Sequence, residues 1–135
     1  MIDYSSQIFT AVANGVRSAH PKTKVIGEYV RRPSEFPTVT LDETSNVVIG
    51  RLEDSSQTEK FAGVTYRLQV FSNKQNGKRA EARTIFTTAD AAMRNMGFRR
   101  VTYTTTPEIY DSSIYSITAT YEGVVSTEGF VYARR

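Results

Sequence analysis

The stretch from Val64 to Tyr121 leaves this chain little freedom, because a strand pattern, a helix pattern and two further strand patterns follow one another with only short turns between them. In the first, Val64, Tyr66, Leu68 and Val70 alternate with Thr65, Arg67 and Gln69, the period of two expected of a strand buried on one face. Residues 72–78 then supply turn formers, since Asn and Gly accept positive φ and their short side chains compete with a strand ladder. A helix is expected from near Lys78, with Ile85, Ala89, Ala92, Met93 and Met96 recurring at spacings of three and four along one face. Gly97 should end it in a left-handed conformation, with Phe98 packing back on the last turn. Residues 99–105, rich in Thr, Val and Tyr, read as a strand, and Pro107-Glu108 with Asp111-Ser112-Ser113 reads as the turn of a hairpin. In the second arm Tyr115, Ile117, Ala119 and Tyr121 alternate with Ser116, Thr118, Thr120 and Glu122, and Gly123 marks its end or a bulge.

Upstream, Ile8, Phe9, Val12, Val16 and Ala19 fall at helical spacing behind Asp3, Ser5 and Ser6 as candidate caps, and His20-Pro21 ends that helix. A short strand is expected over residues 24–31. Glu35-Phe36-Pro37 breaks the chain before residues 38–42 resume strand composition. Residues 42–60 are polar and acidic, interrupted by Val47-Val48-Ile49 and Leu52, and read as an extended hairpin or a mobile loop with a short strand inside it. The segment 124–132 offers a terminal strand that either completes the sheet or reaches a neighbouring subunit. With no internal repeat or linker, residues 1–135 make one domain.

Composition narrows the function classes. A chain that is 23% charged and 39% hydrophobic has a globular balance, and no run approaches the roughly 18 apolar residues of a membrane helix. The first residues carry an acid and no apolar run follows, so no export leader is expected. The absence of cysteine removes disulfides, thiolate chemistry and cysteine-held zinc. Seventeen basic residues against fourteen acidic give a net charge of +3, and the arginines occur as scattered doublets instead of a basic tract.

Catalytic motifs are hard to assemble. His20, the sole histidine, stands beside a proline at a helix end with no serine elbow to serve, and reads as a capping or surface residue. The pairs Asp42-Glu43 and Glu53-Asp54 lack the spacing of a calcium loop or a glycosidase cleft and read as solvated acids. Gly77-Lys78 ends like a phosphate loop, but Ser72 and Arg79 stand where glycine and a hydroxyl are required. No enzyme, cofactor or metal is therefore expected. Tyr66-Arg67, Phe98-Arg99-Arg100 and Tyr103 interleave aromatics with cations as a single-strand-binding sheet does, although alternation favours a core role for both tyrosines.

The order Tyr66-Arg67-Leu68-Gln69-Val70-Phe71-Ser72-Asn73, then Gly77 to Glu81, then Met93 to Arg100, then Ile114-Tyr115-Ser116 and Ala119 to Gly123, resembles the tail terminator family of siphophages. The opening helix and Glu35-Phe36-Pro37-Thr38-Val39 fit the same family, so that the likeness spans Ile8 to Gly123. It implies an α/β (α+β) fold of two helices packed on a mixed, mainly antiparallel sheet. It also implies a structural virion protein, forming a six-membered homo-oligomeric ring that caps the tail tube protein, ends polymerisation and meets the head completion or connector protein. DNA would pass through the ring without sequence-specific binding, in a virion tail assembled in the host cytoplasm. A head-to-tail ring needs two different patches per subunit. The expected contacts set Arg31, Arg32, Arg99 and Arg100 against Asp42, Glu43, Glu53 and Asp54. Another head–tail joint protein, such as a stopper or tube subunit, or a small sheet-based nucleic-acid binder, remain the alternative readings.

Overall fold

A computed structural model describes residues 3–28, 33–48, 61–107, 113–126 and 129–131. Arg31, Arg32, Glu53 and Asp54 lie outside the described residues, as do the 49–60 part of the acidic segment and most of the 107–113 turn.

The elements run α1 (Ser5–Ala19), β1 (Lys24–Ile26), β2 (Thr38–Val48), β3 (Phe61–Ser72), α2 (Lys78–Asn95), β4 (Arg99–Pro107), β5 (Tyr115–Ser126) and β6 (Gly129–Val131). One sheet holds all the strands in the order β1-β2-β3-β5-β4, with β6 on β5 beyond the start of β4. Among the described residues only the β1–β2 pair is parallel. This is the expected α+β arrangement of two helices on a mixed, mainly antiparallel sheet. Strands β3 and β4 run the same way through the α2 crossover, and β5 fills the space between them, a split βαβ unit.

Both helices cover one face of the sheet. Ala62, Val64, Tyr66, Leu68 and Val70 point into that face from β3, as their alternation requires, and meet Ile117, Ala119 and Tyr121 from β5. Ile8, Val12, Ala13 and Val16 come down from α1, and Ala82, Ile85, Phe86, Ala89 and Met93 from α2. The helices also meet each other: a Cβ at Gly15 would lie 3.8 Å from that of Ala92, so small residues set their approach.

The ends of α2 follow from two glycines. Gly77, at φ 114°, precedes the first turn, a conformation that any L side chain would strain. At the other end the Gly97 amide donates to Arg94 O and the Phe98 amide to Met93 O, the paired bonds of a Schellman turn. That turn throws Phe98 onto the sheet, edge-on to Tyr66 with ring centroids 5.6 Å apart. Gly123 of β5 makes room for it, because a Cβ there would stand 2.5 Å from the Phe98 ring.

Three expectations need correction, and the open reading of the acidic run is decided. The first strand stops at Ile26, followed by a bend at Gly27 and Glu28. Strand β2 continues through the acidic run to Val48, antiparallel to β3, so of the two readings of that run the extended hairpin holds over its described part; polar residues there occupy a ladder. Gly123 neither ends β5 nor makes a bulge in its pairing with β3, and β5 runs on to Ser126. Tyr103, expected in the core, is exposed at 40%, since it stands on edge strand β4. The terminal segment does complete the sheet, through β6.

Candidate assembly interface

Directly opposed residues share a face, so the strand registers define rows that cross the sheet. One row reads Glu43–Tyr66–Tyr121–Arg100 from β2 to β4, on the helix side. The next reads Ser45–Thr65–Glu122–Arg99, on the other side. The expected contact residues therefore stand at one level of the sheet: Asp42 and Glu43 on β2, Arg99 and Arg100 on β4, with two strands between them.

Each also has a partner within the subunit. Arg67 grips Asp42 with two hydrogen bonds, Nη2 to Oδ2 at 2.7 Å and Nε to Oδ1 at 3.2 Å. Glu43 accepts the Tyr66 hydroxyl at 2.8 Å. Arg99 pairs with Glu122 at 3.2 Å, with both side chains more than half exposed (63% and 52%), which makes it a weak surface pair. Arg100 reaches Asp90 of α2 at 3.2 Å and lies over the rings of Phe86 and Tyr103, 5.9 and 5.8 Å from their centroids. Asp90 also accepts the Tyr121 hydroxyl, so one helix carboxylate ties β4 and β5 to α2. The role of Asp90 was not read from the sequence. Its signal is weak, a single acid following Ala89 on the apolar side of the helix.

Tyr66 and Tyr121 are buried neighbours on paired strands. Burial pushes both phenols far above the ordinary value of 10, and the accepting carboxylate, Glu43 or Asp90, adds to it; for Tyr121, nearby Arg100 acts the other way. The folded chain thus keeps two protons that the unfolded chain gives up near pH 10. The two groups contribute no pH dependence below that point, and above it stability should fall by up to about 1.4 kcal/mol per pH unit for each phenol. Urea titrations between pH 9 and 11 on the wild type and on Tyr121→Phe test this, with a shallower alkaline slope expected in the variant. Equal slopes would show that Tyr121 ionises freely in the native state.

The face away from the helices is mostly polar, with Thr65, Gln69, Thr102, Thr104, Thr118 and Thr120 on it. Its Arg67–Asp42 and Arg99–Glu122 pairs neutralise one another. Towards Ser72 this face is buried too, at Thr38, Thr40, Phe71 and Ser116. At the opposite end Val47, Gly63 and Val124 form a row in a shallow depression of about 370 Å³, with Val47 59% exposed. His20 closes α1 and bonds Thr88 Oγ1 through Nε2 at 3.1 Å, in keeping with a capping role. Among the described residues, no group of three or more His, Asp or Glu side chains is placed to hold a metal ion, and no helix is long and apolar enough to cross a membrane.

No protein-family model and no curated protein matches this sequence. The geometry of the sheet is thus what bears on function.

Proposed function

We propose that this protein is a tail-terminator-type assembly subunit of a long-tailed phage. Copies join head-to-tail into a ring, six-membered by the family resemblance, that caps the tail tube, stops its growth and offers the surface to which the head completion protein docks. The observation that carries this reading is the asymmetry of the sheet. Helices cover one face, the other is polar with its charges paired within the subunit, and acidic side chains (Asp42, Glu43) stand on one flank with basic ones (Arg99, Arg100) on the other at the same level. Two unlike flanks are what a closed heterologous ring requires, and a neutral hydroxyl-rich face is one that DNA could pass without being held.

The nucleic-acid reading loses ground on the aromatics it needs. Tyr66 is buried beneath the helices, and Tyr103 packs edge-on to Phe86 at 5.0 Å, so neither offers a free stacking face on the open side of the sheet.

Added to polymerising tube subunits, the protein is expected to cap tubes at a limited length, and tubes grown without it should be overlong and unable to join heads. Electron microscopy of tube lengths with and without the protein decides this. Identical length distributions would remove the terminator reading and bring forward a stopper-type role.

A further inference from the structure

Among the described residues, no strand pairs with the outer edge of β2 beyond Thr40, where β1 stops, or with the outer edge of β4. These are the two edges of one sheet, and an open edge presents unpaired backbone amides and carbonyls to any strand that fits it. We propose that the subunits of the assembly join by β-strand addition, the outer edge of β4 in one copy pairing with the outer edge of β2 in the next.

Three observations commit the β4 edge to a second copy of this chain. The first is direction. Going from β2 through β3 and β5 to β4, every neighbour is antiparallel, so β4 runs opposite to β2. A neighbour in the same orientation therefore brings its β2 antiparallel to β4, and the alternation continues across the joint. The second is level. Glu43 and Arg100 end the same row and Arg99 is level with Ser45, so Arg99 to Tyr103 of one copy face Leu41 to Ser45 of the next without a large slide. Thr104 to Thr106 stand level with Thr38 to Thr40, where β1 already pairs, and take no part in the joint.

The third is charge. A β4–β4 joint would set Arg99 and Arg100 near their own copies, and a β2–β2 joint would do the same with Asp42 and Glu43. The mixed joint brings arginines to acids. Their internal bonds do not use them up, because a guanidinium has five donors and a carboxylate accepts several bonds. Each edge strand also carries a register irregularity at this level, between Glu43 and Ser45 on β2 and between Arg100 and Thr102 on β4. Bulges discourage indiscriminate pairing of open edges, which leaves the charge-matched partner favoured.

The inference rests on the ring reading, and its test separates the two. The chain has no cysteine, so Thr44→Cys on β2 and Val101→Cys on β4 supply the only thiols, and the single variants separate like-with-like joints from the mixed one. Both side chains are exposed, and a short bis-maleimide tolerates a one-residue difference in register. The double variant at concentrations that favour assembly is expected to give a ladder of covalent species beyond the dimer, with each single variant giving no such ladder. Val101→Asp, at a site 46% exposed, should weaken self-association about tenfold or more with an unchanged melting temperature, because it sets a carboxylate against the acidic edge. Rings or capped tubes that form normally while the double variant stays uncrosslinked would overturn the strand joint and leave the proposed function standing. Efficient dimers of Val101→Cys alone would overturn it in favour of a β4–β4 pair. Unchanged association of a folded Val101→Asp would overturn it as well.

Discussion

Replacing Met93 with alanine is expected to lower the unfolding free energy by about 2–5 kcal/mol, the range for removing a large side chain from a core that cannot collapse around the gap. Met93 is fully buried, and it does two things at once. Its side chain fills the apolar face of α2, and its carbonyl accepts both the Met96 and the Phe98 amides in the turn that follows. Urea denaturation gives the number, with Thr87→Ala on the exposed side of the same helix as the control. A Met93→Ala protein that melts like the wild type would show that α2 does not present this face to the sheet.

Gly123→Ala is expected to cost about 1–3 kcal/mol, as overpacking a filled core does. The added methyl group would enter the space of the Phe98 ring, which is itself buried and held against Tyr66. The cost should be partly recovered by Phe98→Leu in the same chain, because a smaller side chain gives the methyl room. A double-mutant cycle with a coupling of about 0.5–3 kcal/mol would be the signature of that contact. Additive effects would mean that Gly123 is needed for its backbone instead.

Both expectations depend on features that differ in how openly the sequence displays them. The helix face was readable because Ile85, Ala89 and Met93 repeat at helical spacing, and the burial of Ala82 and Phe86 completes the same stripe. The strand faces of β3 and β5 were readable because alternation survives along both. Gly97 as a stop was legible for the same local reason, since few other residues hold a left-handed backbone.

What escaped was set by contacts between distant residues. Gly123 looks like punctuation in sequence, but its cause is a phenylalanine arriving from the far side of a helix. The acidic run of β2 reads as hairpin or as loop, because its charges satisfy no local pattern that decides between them. Its ladder partner is β3, and Arg67 and Tyr66 there supply the bonds that hold Asp42 and Glu43. The candidate interface was half legible. Charge doublets pointed to Arg99, Arg100, Asp42 and Glu43, whereas their common level and the partners they already have could be learned only from the strand registers.

The position of β5 bears on the order in which this protein can be made. It is paired along both sides, between β3 and β4, yet every other long strand precedes it in the chain. A growing chain that has produced α1 through β4 still has two separate pieces of sheet, each with an edge waiting for the same missing strand. The split βαβ unit cannot close until β5 is inserted, so contacts distant in sequence must form before the core is sealed, an order that slows folding. During that interval β3 offers its inner edge to any extended chain nearby. The last long strand thus acts as the release step of biosynthesis: before it is placed, the subunit is vulnerable to mispairing, and afterwards only the outer flanks remain available.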